Sequence, residues 1–171
     1  MTFTFETQYD TKAMASMARA LRKTIRKKRS RRSHIFGWVV AALGLLLLIL
    51  KGFAFDFRTI GTSIAVLMVI TALLFEDGIN GYFAEKRLLP GTEKAVTVFS
   101  EDGFIATTEI GRSEWKYDKI DLVAETADYF VFIFSASHAQ LYDKRNLQGG
   151  TADAFRRFIE TATGKQVERL V

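Results

Sequence analysis

Two runs without a single charged residue stand close together near the start of this 171-residue chain: IFGWVVAALGLLLLIL, Ile35 to Leu50, and TIGTSIAVLMVITALLF, Thr59 to Phe75, with KGFAFDFR between them. Each is slightly shorter than the ~20 apolar residues that a spanning α-helix needs. The flanks supply the difference, because Trp38 and the phenylalanines at 53, 55 and 57 suit a membrane interface, while Lys51 and Arg58 can stretch their apolar stems toward headgroups. A buried hairpin in a soluble protein would need a large protein around two adjacent runs this apolar. A cleaved leader fits poorly, since ten basic residues precede the first run and no small-x-small cleavage site follows Leu50. The pattern predicts a transmembrane hairpin with spans at 35–50 and 59–75.

Charge is unevenly spread. Residues 1 to 34 hold ten of the 24 Lys and Arg but only Glu6 and Asp10 of the 19 acidic residues, so the basic character of the chain belongs to one short arm. From Glu76 onward the balance is mildly acidic. Basic residues before the first run, and Lys86 with Arg87 after the second, place both termini in the cytoplasm of an inner-membrane, multi-pass protein. The spans contain no ionisable residue, which argues against a proton relay. Small residues at four-residue spacing, Gly37 with Ala41 and Gly61 with Ala65, would let the two helices, or hairpins of two chains, approach closely.

The arm itself divides in two. TFTFETQ, Thr2 to Gln8, alternates Phe3 and Phe5 with polar residues, the period of a half-buried strand expected at the edge of a sheet. Asp10 or Thr11 then caps a helix with Met14, Met17, Leu21 and Ile25 on one stripe and cations on its other faces. The candidate contacts to anionic lipid headgroups are Arg19, Arg22, Lys23, Arg26, Lys27, Lys28, Arg29, Arg31 and Arg32. A pure topology signal explains the same charges. Nucleic-acid binding does not suit an arm so near a membrane, with no aromatic residue between Lys12 and His34.

Beyond a helical extension at 76–89 and the turn at Pro90-Gly91, short apolar or alternating runs recur: 95–100, 103–109, 112–117, 120–126, 129–135 and 139–143. YFVFIF, Tyr129 to Phe134, is apolar on both faces and should be the most enclosed. TADAFRRFIETATG then carries Phe155, Phe158 and Ile159 on one helical stripe, with Asp153 near its start and Gly164 as its stop. The fold class expected is an α+β membrane protein: strand and basic helix at 1–34, hairpin at 35–75, linker at 76–91, and a pleckstrin-homology-like domain at 92–171 in which an antiparallel meander of about six strands is capped by the terminal helix.

The SEDGF turn at Ser100 to Phe104, Trp115, Tyr117 and Ile120, the run from Glu125 to Phe130, the Lys144-Arg145 pair, and Phe155 to Ile159 together resemble the YcxB-like family of small bacterial membrane proteins. That resemblance implies a membrane-anchored module with a domain of this type and no cofactor. Asp143 stands where relatives often have Pro.

No catalytic constellation emerges. The chain has no Cys, and His34 and His138 lie far apart in sequence. Asp118, Asp121, Glu125 and Asp128 form a loose acidic cluster whose Asp121 and Glu125 suit a solvated face. Glu101-Asp102-Gly103 is a hairpin signal with too few oxygen ligands grouped for Ca²⁺ and the wrong charge for an anionic headgroup. The function expected is a non-enzymatic, membrane-anchored adaptor or regulatory module with a protein partner or a second copy. A subunit of an oligomeric pore, or a transporter accessory subunit, is the alternative.

Overall fold

The computed structural model describes residues 2–50 and 56–170. Strand β1 (Phe3–Gln8) leads into helix α1 (Thr11–Lys23), the long helices α2 (Lys27–Leu50) and α3 (Phe57–Leu74), and the shorter α4 (Glu76–Glu85). There follow β2 (Lys94–Phe99), β3 (Phe104–Thr108), β4 (Arg112–Trp115), β5 (Leu122–Glu125), β6 (Tyr129–Ile133), β7 (Ala139–Asp143), β8 (Leu147–Gln148), α5 (Ala152–Thr163) and β9 (Glu168–Arg169). The architecture is mixed α+β, and each of the six anticipated strand segments and the terminal helix forms. Most of the connection between α2 and α3, residues 51–55, lies outside the described residues.

Both long helices have the length and apolarity to cross a membrane, with mean hydropathies of 2.3 and 1.9 over their most apolar stretches. They run antiparallel: a Cβ on Gly37 would come within 2.7 Å of Leu73, and one on Gly44 within 2.3 Å of Val66. Ala41 is buried in the same seam. Gly61 is different, with nothing within 4 Å of where its Cβ would stand, so that Gly61 and Ala65 face outward. Helix α2 also starts earlier than its apolar run. No Gly or Pro interrupts residues 25 to 36, and the Lys and Arg residues there are good helix formers, so the basic run forms the first turns of the apolar helix itself. The bend from α1 falls at Thr24, whose N–H and hydroxyl both donate to the Ala20 carbonyl, at 3.1 and 2.7 Å.

The expected single meander is instead two sheets among the described residues. One has the order β4-β3-β2-β1-β8, and the other β7-β6-β5-β9. The division follows from the 3₁₀ turn at Tyr117–Lys119, which ends β4 at Trp115 and turns the chain away. The Tyr117 hydroxyl anchors that turn by donating to the Ser100 and Gly103 carbonyls, at 2.6 and 3.1 Å. Strand β1 lies inside the first sheet, not at its edge. It pairs antiparallel with all of β2, Phe3 opposite Phe99 and Gln8 opposite Lys94, and its other side meets β8.

The sheets share a core of Phe3, Phe5, Phe99 and Phe104 from one and Val123, Phe130, Phe132 and Tyr142 from the other, with Phe155 and Ile159 of α5 closing the gap. Phe158, expected to be a central contact of the helix, is only half-buried and rests on the rings of Phe3 and Tyr117. Thr151 caps α5 by accepting from the Ala154 N–H, and Gly164, at φ +66°, ends it. All five residues of β6 are buried, as its two apolar faces require. Its second face is covered by α1, with Ala13, Ala20 and Leu21 packed on Ala124, Tyr129, Val131, Ile133 and Leu141. The apolar stripe of the basic helix is therefore spent on protein packing, with only Ile25 exposed.

Candidate functional site

The basic arm is built into the structure by α1, which lies between the β5-β6-β7 face and α4. Asp10 starts it, its carboxylate accepting from the Ala13 N–H at 2.7 Å. On the α4 side the backbones nearly touch, since a Cβ on Gly81 would stand 2.5 Å from the Ala15 nitrogen. Charged groups seal both ends of this crossing. Thr11 donates to Glu85, and Arg22 grips Asp77 through two bonds, Nε to Oδ1 at 2.7 Å and a terminal nitrogen to Oδ2 at 2.5 Å. That bidentate pairing raises the Arg22 pKa above its ordinary value. His34 Nε2 lies 2.5 Å from Glu76 Oε2, tying the start of α4 to α2.

The remaining basic residues are distributed accordingly. Arg26 donates to the Ala136 carbonyl at 2.7 Å, in the loop between β6 and β7. Arg19 is exposed on α1, and Lys23 ends that helix. Lys27, Lys28, Arg29, Arg31 and Arg32 are exposed on the first turns of α2. Of the nine, Arg22, Lys23, Lys27 and Arg31 line a groove of about 530 Å³ between the α1–α2 bend and the carboxy-terminal segment, whose wall is Glu168, Arg169 and Leu170. The structure thus adds Arg169, a cation from the far end of the chain, to the anticipated set. No local signal marks it, because its position depends on the parallel pairing of β9 with β5.

The acidic cluster is dispersed. Asp118 is exposed beside Lys119, and Asp128 pairs with Lys12 at 2.6 Å, a hydrogen bond that lowers the Asp128 pKa. Glu125, anticipated on a solvated face, is buried. Its carboxylate receives Lys144 Nζ at 2.6 Å and Arg156 at 2.6 and 2.8 Å, linking β5 to the turn after β7 and to α5. Burial alone would raise this carboxyl, but the bonds from Arg156 and Lys144 hold it below its ordinary value. Asp143, just before the Lys144-Arg145 pair, caps the turn there by accepting from the Arg145 N–H at 2.9 Å. The Glu101-Asp102-Gly103 segment forms the β2–β3 turn, closed by the Ser100 N–H donating to the Gly103 carbonyl at 2.9 Å. His138 is exposed and stacked on Trp115, ring centroids 5.4 Å apart. Among the described residues, no group of three or more His, Asp or Glu is arranged to hold a metal ion.

No curated protein and no solved structure gives a significant match to the chain. The Glu125 ion cluster with Lys144 and Arg156, the Tyr117 turn and the part of the aromatic core that follows the hairpin fall within one continuous stretch, and that stretch, residues 99–159, matches the YcxB-like protein family.

Proposed function

We propose that this protein is a membrane-anchored adaptor or regulatory module, non-enzymatic, whose pleckstrin-homology-like domain is held at the cytoplasmic face of the inner membrane by the α2–α3 hairpin. One observation carries the reading. Strand β1 precedes the hairpin and β2 follows it, yet the two pair along their full length, so both ends of the hairpin return to one folded body. A hairpin of two apolar helices whose side chains are largely exposed, with its ends joined in a polar domain, suits a bilayer far better than water. The basic turns of α2 favour the cytoplasmic side for that body.

Partner binding is supported by the open edge of β4, where the backbone of Arg112 to Trp115 has, among the described residues, a strand on one side only. A second copy of the chain or a different protein would add there. A photo-crosslinking residue at Ser113, exposed on β4, is expected to give discrete protein adducts in intact cells, and the same residue at Arg157 on the outer face of α5 is not. Equal, diffuse labelling from both positions would overturn the adaptor reading. Ion flux through the purified protein in liposomes would favour the pore alternative, for which the outward Gly61 and Ala65 offer a close helix contact between chains.

A further inference from the structure

We infer that the groove between the α1–α2 bend and β9 binds the phosphate of an anionic membrane lipid, an assignment that rests on the hairpin spanning the bilayer. Lys27, Ser30, Arg31 and His34 recur at spacings of three and four, so they form one face of α2 and one wall of the groove. The opposite wall carries Arg169 and Leu170 of the carboxy-terminal segment. Leu170 is fixed there by its N–H donating to the Glu125 carbonyl at 2.8 Å. The groove, about 530 Å³ and open to solvent on one side, has room for a phosphate group.

Charge selects the ligand. Lys27 and Arg31 are exposed cations, Arg169 adds a third while keeping a distant contact of 3.9 Å to Glu125, and Glu168 is the opposing carboxylate. Arg22, also on the groove, is committed to Asp77, and His34 to Glu76, so these two shape the wall. Such a set suits a phosphate group, and Arg31 with Arg169 can each offer paired N–H donors to it.

Position selects the lipid. The groove face of α2 continues at the same spacing through Trp38, Leu45 and Ile49, all exposed, so a phosphate in the groove has an apolar track one turn away for its acyl chains. Trp38 stands where an interfacial tryptophan is expected, at the junction of the two. A topology signal would need the cations of α2 alone. It would not need a sequence-remote arginine facing them across a cleft.

Trp38 reports on its own neighbourhood. The only other tryptophan is Trp115, which Trp115→Phe removes. The full-length protein is placed in neutral phosphatidylcholine bilayers, and Trp38 quenching is followed as brominated phosphatidylglycerol or brominated phosphatidylcholine is added. Phosphatidylglycerol should quench at a several-fold lower mole fraction. Arg169→Gln should reduce that preference about fivefold and Glu168→Gln should increase it, a gain that a damaged fold would not produce. An unchanged preference in Arg169→Gln, and in Lys27→Gln with Arg31→Gln, would overturn the site and leave only a topology signal. Competition by millimolar inorganic phosphate would overturn the lipid and assign a soluble phosphate ligand. Failure of either brominated lipid to quench Trp38 would refute the spanning hairpin itself, an outcome separate from equal quenching by both.

Discussion

Gly81 of α4 and Ala15 of α1 cross so closely that a Cβ on the glycine would lie 2.5 Å from the Ala15 nitrogen and 2.7 Å from its Cα. This crossing joins the hairpin to the sheets, because α4 continues from α3 on one side and α1 packs on β6 and β7 on the other.

Gly81→Ala should accordingly cost ~1 to 3 kcal/mol, because the atoms it meets are backbone and cannot rotate away. Gly78→Ala, three residues earlier in the same helix with nothing within 4 Å of its new methyl, should be neutral or stabilise by ~0.5 to 1 kcal/mol through helix propensity. Thermal melts of the two variants in the same detergent separate packing from propensity. Equal melting temperatures would contradict the close crossing.

Phe5 touches the rings of Phe99, Phe130, Tyr142 and Phe155, the last at 4.6 Å between centroids. Phe5→Ala should destabilise by ~3 to 5 kcal/mol, although the residue precedes the hairpin and the core it fills follows it. For the same reason the fragment from Gly91 to Val171 should remain unfolded alone and gain structure when a peptide covering Thr2 to Gln8 is supplied. Circular dichroism of the fragment with and without peptide is the measurement, and a fragment that folds unaided would show that β1 is dispensable.

Glu125 is bound by two cations from separate elements, so Glu125→Gln should leave Lys144 without its counter-charge and Arg156 with Asp153 alone, at a cost of ~3 kcal/mol. The folded carboxyl is held below its unfolded value of ~4.3. Its contribution is complete above the unfolded pKa and is lost as pH falls through the folded one. Denaturation midpoints of the wild type should therefore drop below about pH 4.3 more steeply than those of Glu125→Gln. Parallel pH profiles would place the acid sensitivity elsewhere.

The two ends of the hairpin should be protected together. Phe57, 91% exposed at the start of α3, should label with a membrane-impermeant thiol reagent in intact cells when replaced by Cys, and a Cys at Ser113 should label only after permeabilisation. The reverse pattern would invert the topology.

What the amino-acid sequence determined by itself was everything encoded within about one helical turn or one strand of neighbouring residues. The two long apolar helices, the six strand segments from 95 to 143, a helix cap at Asp10 or Thr11 and the Gly164 stop are all periodicity or capping, which local backbone physics reads directly. The tertiary structure decided what each apolar face meets. The stripe Met14, Met17 and Leu21 is equally suited to a membrane surface or a sheet, and only the second apolar face of β6 settled which one it covers. Phe3 and Phe5 announced a strand but not a place inside the sheet, because a strand's partners are chosen by side chains some ninety residues away. Glu125 read as solvated because charge is costly to bury, and it is buried because Lys144 and Arg156 converge on it from parts of the chain that only folding brings together.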